Sequence, residues 1–379
     1  MAAAQQLTKA AALTALAAAL ALGAACRAAH SAPMLPTWVY VTGAGPELRL
    51  LDALDLRVAG TMPLPGDATA MAWDRAHDRL WLAMATGPAS GRLVALAAGS
   101  MRRRQARALG FRPQALLAGA DALWVAGGGA ANGALARLDY KSGRWRQAAF
   151  GGDLVALAVA PGGRIVAADG GGRALFIVDA KTLAVPARVP LAAAPAAVVA
   201  LPYGAKAFAL CPAIGQVAAV DLARAGVLTY LQVGADPRAM ALKPDGGELY
   251  VSSFAAGTIS AIDTGANQVT DTMLAGRQPI GLAVSPDDQW LFAANSGDNT
   301  VAAISIYDRK VVATIPVGLG PAALALGDDG ALLFVEDRGS SDIGVIRTGP
   351  RNLLSLLPAA ASPTLMLVAG GQPPKENSN

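Results

Sequence analysis

A unit of 42 residues recurs through most of this sequence, and no other feature restricts the possible folds as strongly. The segments Glu248–Ser253, Trp290–Asn295 and Leu332–Asp337 follow one another at this interval, each within a short strand-forming run. A large apolar residue recurs at the same spacing, at Tyr40, Leu82, Trp124, Val166, Phe208, Tyr250, Phe292 and Phe334. One small sheet cannot bury both of its faces, so neighbouring copies must cover them. The repeat therefore predicts an all-β ring of similar sheets, a β-propeller.

Each unit carries the signals of four short strands. A proline opens an apolar run suited to an innermost strand, at Pro195, Pro237, Pro279 and Pro321. A turn and the second strand with its large apolar residue follow. The third strand ends on an aspartate whose carboxylate can cap the next turn, at Asp139, Asp179, Asp221 and Asp263. A fourth strand, such as residues 311–317, completes the unit.

Counting these strands predicts eight blades. Residues 38–64 supply only second, third and fourth strands, and complete units begin near residues 68, 113, 154, 195, 237, 279 and 321. Near the C-terminus, residues 353–358 match a fourth strand and residues 362–368 match an inner strand. We expect this last strand to complete the first blade, because closing the ring with both chain ends removes an exposed sheet edge. Seven blades with a separate C-terminal hairpin is the alternative.

The repeat resembles the bacterial YVTN family of β-propeller repeats (YncE-like). The resemblance lies in residues 249–253, 257–263 and 311–318, and it extends from residue 38 to about residue 369. It implies a propeller fold but little about function, because propellers of this family serve many unlike roles.

The N-terminus has the features of an export signal. Lys9 precedes an apolar run from Ala10 to Ala25, which is shorter than the ~20 residues of a membrane span. We expect a signal peptide over residues 1–25 and an exported monomer in the periplasm or at the cell surface. Residues 22–26 resemble a bacterial lipobox, which implies lipidation of Cys26; ordinary cleavage near Ala25 is the alternative. Residues 26–36 are expected to form a tether, residues 37–369 the propeller and residues 370–379 a disordered tail.

Composition restricts the partners. A net charge of +4 and an aromatic content of 5% give no indication of a nucleic-acid surface. The densest basic run, residues 101–107, is expected to be a solvated outer strand edge. Contact with a membrane surface or an anionic polymer is its alternative. The chain has only two histidines and two cysteines, which disfavours most metal and disulfide frameworks. Cys211 is expected to be a buried small residue.

The candidate binding residues lie at the predicted mouth of the central channel. The loops that join second to third strands share one face with the loops that leave fourth strands. Second strands are expected to end there in a polar ring, formed by Gly127, Asp169, Cys211, Ser253, Asn295 and Asp337. The incoming loops add Arg112, Gln114, Asp236, Arg238, Arg277 and Gln278. We expect this rim to bind a small polar ligand or a cell-envelope protein, with no cofactor. The oxygen donors Asp169, Asn295, Asp298, Glu336 and Asp337 suit hard cations, but they are spread over different blades, so no metal is expected.

The sequence leaves three classes of function open. A non-enzymatic binding or scaffolding propeller is favoured. A lactonase-type or hydrolase-type enzyme is disfavoured because an acid–base pair is needed, and His77 is expected on the opposite face. Haem d1-binding propellers share the blade number but ligate iron through histidine, which disfavours them in the same way. An accessory factor of a periplasmic redox or cofactor pathway is the third class.

Overall fold

Eight antiparallel sheets of four strands make up the part of the chain that the computed structural model describes, residues 37–128 and 133–370. Each sheet is one blade, and its strands run in order from the channel to the rim. Blade 1 combines both ends of this region, in the order β32-β1-β2-β3. Its strands are β1 (Thr37–Thr42), β2 (Glu47–Asp52), β3 (Arg57–Pro63) and β32 (Leu365–Gly370). The eight-bladed prediction is therefore confirmed, and the seven-bladed alternative is wrong.

Blades 2 to 4 each use four consecutive strands. Blade 2 contains β4 (Asp67–Asp74), β5 (Arg79–Gly87), β6 (Ser90–Ala97) and β7 (Arg103–Leu109). Blade 3 contains β8 (Pro113–Ala118), β9 (Ala122–Gly127), β10 (Gly133–Asp139) and β11 (Trp145–Phe150). Blade 4 contains β12 (Leu154–Ala160), β13 (Arg164–Asp169), β14 (Ala174–Asp179) and β15 (Ala187–Pro190).

Blades 5 to 8 repeat this arrangement. Blade 5 contains β16 (Ala197–Ala200), β17 (Lys206–Cys211), β18 (Gln216–Asp221) and β19 (Gly226–Gln232). Blade 6 contains β20 (Pro237–Leu242), β21 (Glu248–Ser253), β22 (Thr258–Asp263) and β23 (Gln268–Leu274). Blade 7 contains β24 (Pro279–Val284), β25 (Trp290–Asn295), β26 (Thr300–Ser305) and β27 (Lys310–Pro316). Blade 8 contains β28 (Pro321–Leu326), β29 (Leu332–Asp337), β30 (Asp342–Arg347) and β31 (Asn352–Pro358). Two 3-10 turns, Arg75–His77 and Pro212–Ile214, follow β4 and β17.

The last strand closes the ring. In blade 1, β32 pairs with β1 through Trp38↔Ala369 and Tyr40↔Leu367, and it packs between the inner strands β28 and β4. The strand begins at Leu365, three residues later than the sequence indicates. Ser362 has a φ of 42°, so the chain still turns there. Gly370, the first residue of the predicted tail, is the last residue of β32. The predicted signal peptide, Cys26, the tether and residues 371–379 lie outside the described residues and stay predictions.

The core lies between neighbouring blades. All eight members of the 42-residue apolar column are buried, with exposures of 0–5%. The buried polar groups of this column have partners: the Tyr40 hydroxyl accepts the Gly99 N–H at 3.0 Å, and Trp124 Nε1 donates to the Ala180 carbonyl at 3.0 Å. Burial raises the pKa of Tyr40 to about 12. Each blade thus covers the apolar face of the next, as the repeat predicts.

The aspartates that end third strands cap the following turns. Asp139, Asp179, Asp221 and Asp263 each accept a backbone N–H three residues later, at 2.7–2.9 Å. These hydrogen bonds hold the pKa values of Asp179 and Asp221 below their usual range. The capping prediction is confirmed. Turn capping therefore accounts for the recurrence of aspartate at this position of the repeat.

Candidate functional site

The mouth face, defined by the loops from second to third strands and the loops that leave fourth strands, has one recurring backbone link. The residue after the second strand donates its N–H to the carbonyl of the residue before the inner-strand proline. Examples are Phe254 to Asp236 at 2.9 Å and Ser296 to Gln278 at 3.1 Å. Gly128 donates to Arg112 in the same way, at 2.8 Å. Arg112, Asp236 and Gln278 therefore occupy equivalent places beside the channel, as the sequence predicts.

The ends of the second strands, in contrast, are not an exposed polar ring. Asp169, Cys211, Ser253, Asn295 and Asp337 are each 0–2% exposed. We refer to these five residues as the latch column, because they bind the segment that arrives from the preceding blade.

Three members of the latch column donate to carbonyl groups of that segment. Ser253 Oγ donates to Val233 at 2.7 Å, and Asn295 Nδ2 donates to Ala275 at 2.8 Å. Cys211 Sγ lies 3.8 Å from the Ala193 carbonyl oxygen, and burial raises the pKa of this free thiol to about 11. Cys211 is thus buried, as expected, and it is protonated near neutral pH.

The two carboxylates of the latch column accept backbone N–H groups instead. Asp169 Oδ1 accepts from Asp153 at 2.9 Å and from Gly172 at 2.8 Å. Asp337 Oδ2 accepts from Gly318 at 3.1 Å. Sequence reasoning placed Asp169, Asn295 and Asp337 among the binding candidates because polar residues recur there. The structure buries all three, because the incoming loop folds over them.

Blade 8 departs from this pattern through a second carboxyl group. Asp342, which pairs directly with Asp337 across the β29–β30 hairpin, lies within hydrogen-bonding reach of the Asp337 carboxyl. Burial, and then the Asp342 neighbour, raise the pKa of Asp337 to about 8. The adjacent Glu336 is fully buried; this burial raises its pKa, although Arg338 binds Oε1 at 2.8 Å. Blade 8 therefore holds, at the mouth face, a buried carboxyl group whose pKa is raised by burial and by a second carboxyl group.

The exposed candidates have polar partners of their own. Arg238 bonds Asp236 at 2.7 Å and lies over the Phe254 ring, 5.2 Å from its centroid. Gln114 Nε2 donates to Asp153 Oδ1 at 2.5 Å. Asp236 and Gln278 have φ values of 54° and 53°, so their backbones are left-handed, and Gln278 is exposed.

Arg112 lines a cleft on the other side of the mouth. The cleft has a volume of about 440 Å³ and lies between the blade 1–2 and blade 2–3 connections. Residues 65–67 and 85–88, which include Asp67 and Thr86, complete its lining. Its mixture of one cation, one anion and a hydroxyl suits a small polar molecule.

A second surface at the mouth takes residues from blades 6 to 8. We call it the mouth patch, and it comprises Arg238, Phe254, Leu274, Arg277 and Leu319. Leu274 is 78% exposed and Leu319 is 56% exposed. Sequence reasoning named its two arginines as rim residues but missed the leucines. Leu319 stands 42 residues after Arg277, so the repeat already placed both at the tip of an incoming loop.

One loop of blade 7 joins the segments that carry Arg277 and Leu319. Asp298 accepts from the Arg277 guanidinium and backbone N–H, both at 2.7 Å. The neighbouring Asn299 Oδ1 accepts from Gly320 at 2.8 Å, directly after Leu319. These bonds to Arg277 hold the pKa of Asp298 below its usual range. Arg277 and the segment that carries Leu319 are therefore held by hydrogen bonds to the same loop.

The opposite face holds His77, as expected. Its Nδ1 lies 2.9 Å from Asp74 Oδ1, and its ring packs edge-on against Tyr140 with centroids 4.8 Å apart. Asp74 is fully buried at its side chain and also binds Arg79 at 2.9 Å. Asp74 caps the short 3-10 turn through the His77 N–H, so this histidine belongs to a structural cluster.

Residues 37–128 and 133–370 contain neither a cluster of metal-ligating side chains nor a membrane-spanning helix. No group of three or more His, Cys, Asp or Glu residues there could hold a metal ion. No helix in that part of the chain is long and apolar enough to cross a membrane.

Comparison with known proteins shows the fold alone. No protein-family profile matches the chain, and no curated protein sequence matches it. Among solved structures, a dihydro-heme d1 dehydrogenase, NirN, in complex with DHE is similar with a TM-score of 0.72 at 14% identity. That match covers 89% of this chain and 76% of NirN. The hydrazine synthase of Kuenenia stuttgartiensis is similar with a TM-score of 0.56 at 18% identity, over 76% of this chain and 97% of that one.

Proposed function

We propose that this protein is an exported, non-enzymatic binding propeller that holds a cell-envelope protein on its mouth patch. In this proposal it is a divergent relative of the YVTN-type repeat propellers, and the N-terminal signal carries it to the periplasm or the cell surface. The proposal rests on one observation: Leu274 and Leu319 are exposed at the mouth, where Arg238 and Arg277 also lie.

The composition of the mouth patch supports a protein partner. Arginine and aromatic residues dominate the binding energy of protein interfaces, and exposed leucines add apolar area that a partner can cover. The Arg238 guanidinium already lies over Phe254, and Arg277 already binds Asp298. Both arginines are therefore ordered before a partner arrives, which lowers the entropy lost on binding.

The channel wall supports binding at the mouth rather than deep inside. Six of the eight inner strands carry no charged residue, and most of their side chains are alanine, leucine or valine; these strands are β8, β12, β16, β24, β28 and β32. The other two, β4 and β20, have charged residues only near their ends, Asp67 and Arg238 at the mouth and Asp74 at the opposite end. Between these ends the inner strands supply neither a general base nor an ion pair. Polar recognition must then come from the loops around the mouth.

Photo-crosslinking in cells tests the proposal. A benzophenone amino acid at Leu319 should give a discrete crosslinked species with one envelope protein. The same amino acid at Tyr307, which is 94% exposed on the opposite face, is the matched control and should give none. Arg238→Ala with Arg277→Ala should weaken the interaction by roughly 10-fold or more, since hot-spot arginines contribute above about 1–2 kcal/mol. Crosslinks from Tyr307 but not from Leu319 would place the partner on the wrong face.

An accessory role in a redox or cofactor pathway is the second candidate. It is favoured by the two similar structures, whose names describe a dihydro-heme d1 dehydrogenase and a hydrazine synthase. Titration with haem as the probe separates the candidates: a saturable Soret shift that Arg112→Ala abolishes would favour the cofactor role. A lactonase or hydrolase reading gains no support from His77, which is bound to Asp74 on the opposite face.

A further inference from the structure

The rim of the propeller is electrostatically divided. The outer strands of blades 1 to 4, which are β3, β7, β11 and β15, contain no acidic residue. They carry the arginines Arg57, Arg103, Arg104, Arg107, Arg146 and Arg188. The outer strands of blades 5 to 8 carry one cation, Lys310, and one anion, Asp271. Half of the rim is therefore basic and the other half is neutral.

Seven cations on blades 2 to 4 lack acidic partners. Within the described part of the chain, no ion pair involves the following exposed or half-exposed cations: Arg102, Arg103, Arg104, Arg107, Arg144, Arg146 and Lys181. We call these seven residues the basic rim. The mouth-face arginines Arg238, Arg277 and Arg338 each bind a carboxylate instead. The basic rim thus keeps a surplus of positive charge that the protein does not neutralise.

Contacts between neighbouring blades make the basic rim one surface. Arg107 of blade 2 lies over the Trp145 ring of blade 3, 4.8 Å from its centroid. Arg146 of blade 3 donates to the Lys181 carbonyl of blade 4 at 3.2 Å. Arg144, Arg146 and Lys181 also line a cleft of about 300 Å³. Its two carboxylates, Asp139 and Asp121, both bind Arg137, at 2.9 Å and 3.4 Å.

The described chain begins beside this surface. Tyr40, in β1, accepts the N–H of Gly99, which lies in the turn that leads to Arg102 and β7. The first strand of the described chain, β1, therefore lies next to the turn that leads into the basic rim.

We infer that the basic rim docks the propeller on an anionic phospholipid surface. Arginines near a negatively charged leaflet each gain about fivefold in binding, and the half-buried Trp145 suits the interfacial region where tryptophan concentrates. The sequence favoured a solvated strand edge for residues 101–107. The structure places cations of blades 3 and 4 beside this strand. Protection of a single strand edge would require charges on that strand only. This inference does not rest on the mouth patch.

Vesicle binding tests the inference with the full-length protein. We would compare sedimentation with phosphatidylcholine vesicles and with vesicles that also contain phosphatidylglycerol. The ratio of the two affinities measures the electrostatic contribution to binding, because an apolar anchor contributes equally to the affinity for either kind of vesicle. For the natural protein we expect a ratio of at least about 100-fold at low salt that falls steeply when the Debye length shrinks to about 3 Å at 1 M salt.

Three sets of substitutions locate the surface. Arg102→Gln/Arg103→Gln/Arg104→Gln and Arg144→Gln/Arg146→Gln/Lys181→Gln should each reduce the ratio by at least about tenfold. Arg224→Gln/Lys310→Gln/Arg347→Gln removes the same charge from exposed positions on blades 5 to 8 and should leave the ratio unchanged. Equal losses in all three sets, or a natural protein that does not distinguish the vesicles, would overturn the inference. Binding of heparin through the basic rim without any vesicle preference would overturn it too.

Discussion

Asp337 and Asp342 face each other across a β-hairpin of blade 8, and each has a buried Oδ1 that has no hydrogen-bond partner within residues 37–128 and 133–370. Blade 7 has Asn295 and Thr300 at the same positions, where the amide nitrogen lies 3.4 Å from the hydroxyl. Blade 8 thus replaces a neutral pair with an acidic one.

This pair predicts a loss of stability as the pH rises. The folded-state pKa of Asp337, about 8, lies above its value in the unfolded chain, about 4. Between these values the folded protein holds a proton that the unfolded chain has released, so the free energy of unfolding decreases with increasing pH. Asp337→Asn, which copies blade 7, should flatten this decrease between pH 5 and pH 8 in urea titrations.

Asp298→Asn is the control for that measurement. The pKa of Asp298 is held below its usual range, so both states are ionised throughout the same pH window. Its substitution should leave the pH dependence of stability unchanged. A flattening by Asp298→Asn, or none by Asp337→Asn, would show that other groups cause the dependence.

Substitutions in the latch column should lower the free energy of unfolding, although the sequence analysis assigned three of its polar residues to binding. Asp169→Ala leaves the N–H groups of Asp153 and Gly172 without an acceptor in a buried place, which should cost about 1–3 kcal/mol. Asp169→Asn keeps an acceptor and should recover part of this cost. Arg112→Ala, at an exposed position, should change the free energy of unfolding by less than about 0.5 kcal/mol. If Asp169→Ala and Arg112→Ala changed the free energy of unfolding equally, the hydrogen bonds of Asp169 would contribute little to stability.

Ring closure predicts that the last strand can be supplied separately. A chain that stops after Ser362 lacks β32, which exposes the inner edge of β1 and opens the contact with β4. We expect the loss of a cooperative thermal transition, and its recovery when a synthetic peptide of residues 363–370 is added. A chain that stops after Gly370 should melt like the natural protein. If the chain without β32 melted cooperatively at an unchanged midpoint in the absence of the peptide, ring closure by β32 would not stabilise the propeller.

Replacement of Gln278 by glycine should have opposite effects on the stability of the fold and on binding. Its φ of 53° is left-handed, and the equivalent residue of the next blade is Gly320, with a φ of 63°. Glycine adopts this conformation without the steric cost of a side chain, so Gln278→Gly should stabilise the fold by up to about 1 kcal/mol. If the exposed glutamine contacts a partner, the same change should weaken binding. Calorimetry and crosslinking yield from Leu319 would measure the two effects on one variant.

The sequence by itself determined the number of blades, the strand order within them and the place of each loop. These properties follow from local patterns, such as the apolar column through Phe292 and the capping aspartates, repeated at a fixed interval. Even the role of β32 could be predicted, because residues 353–368 continued the register of the repeat. The face that carries His77 was also predictable, since strand direction alternates along the chain.

Only the tertiary structure decided which polar residues of the mouth face are accessible. Asn295 and Arg277 look equally polar in the sequence, but the segment arriving from the preceding blade covers the first and leaves the second exposed. The basic rim depends in the same way on Arg107 meeting Trp145, 38 positions further along the chain, in another blade. Burial and contact between blades are sums over distant segments, so a repeat can specify the position of a residue without specifying what covers it.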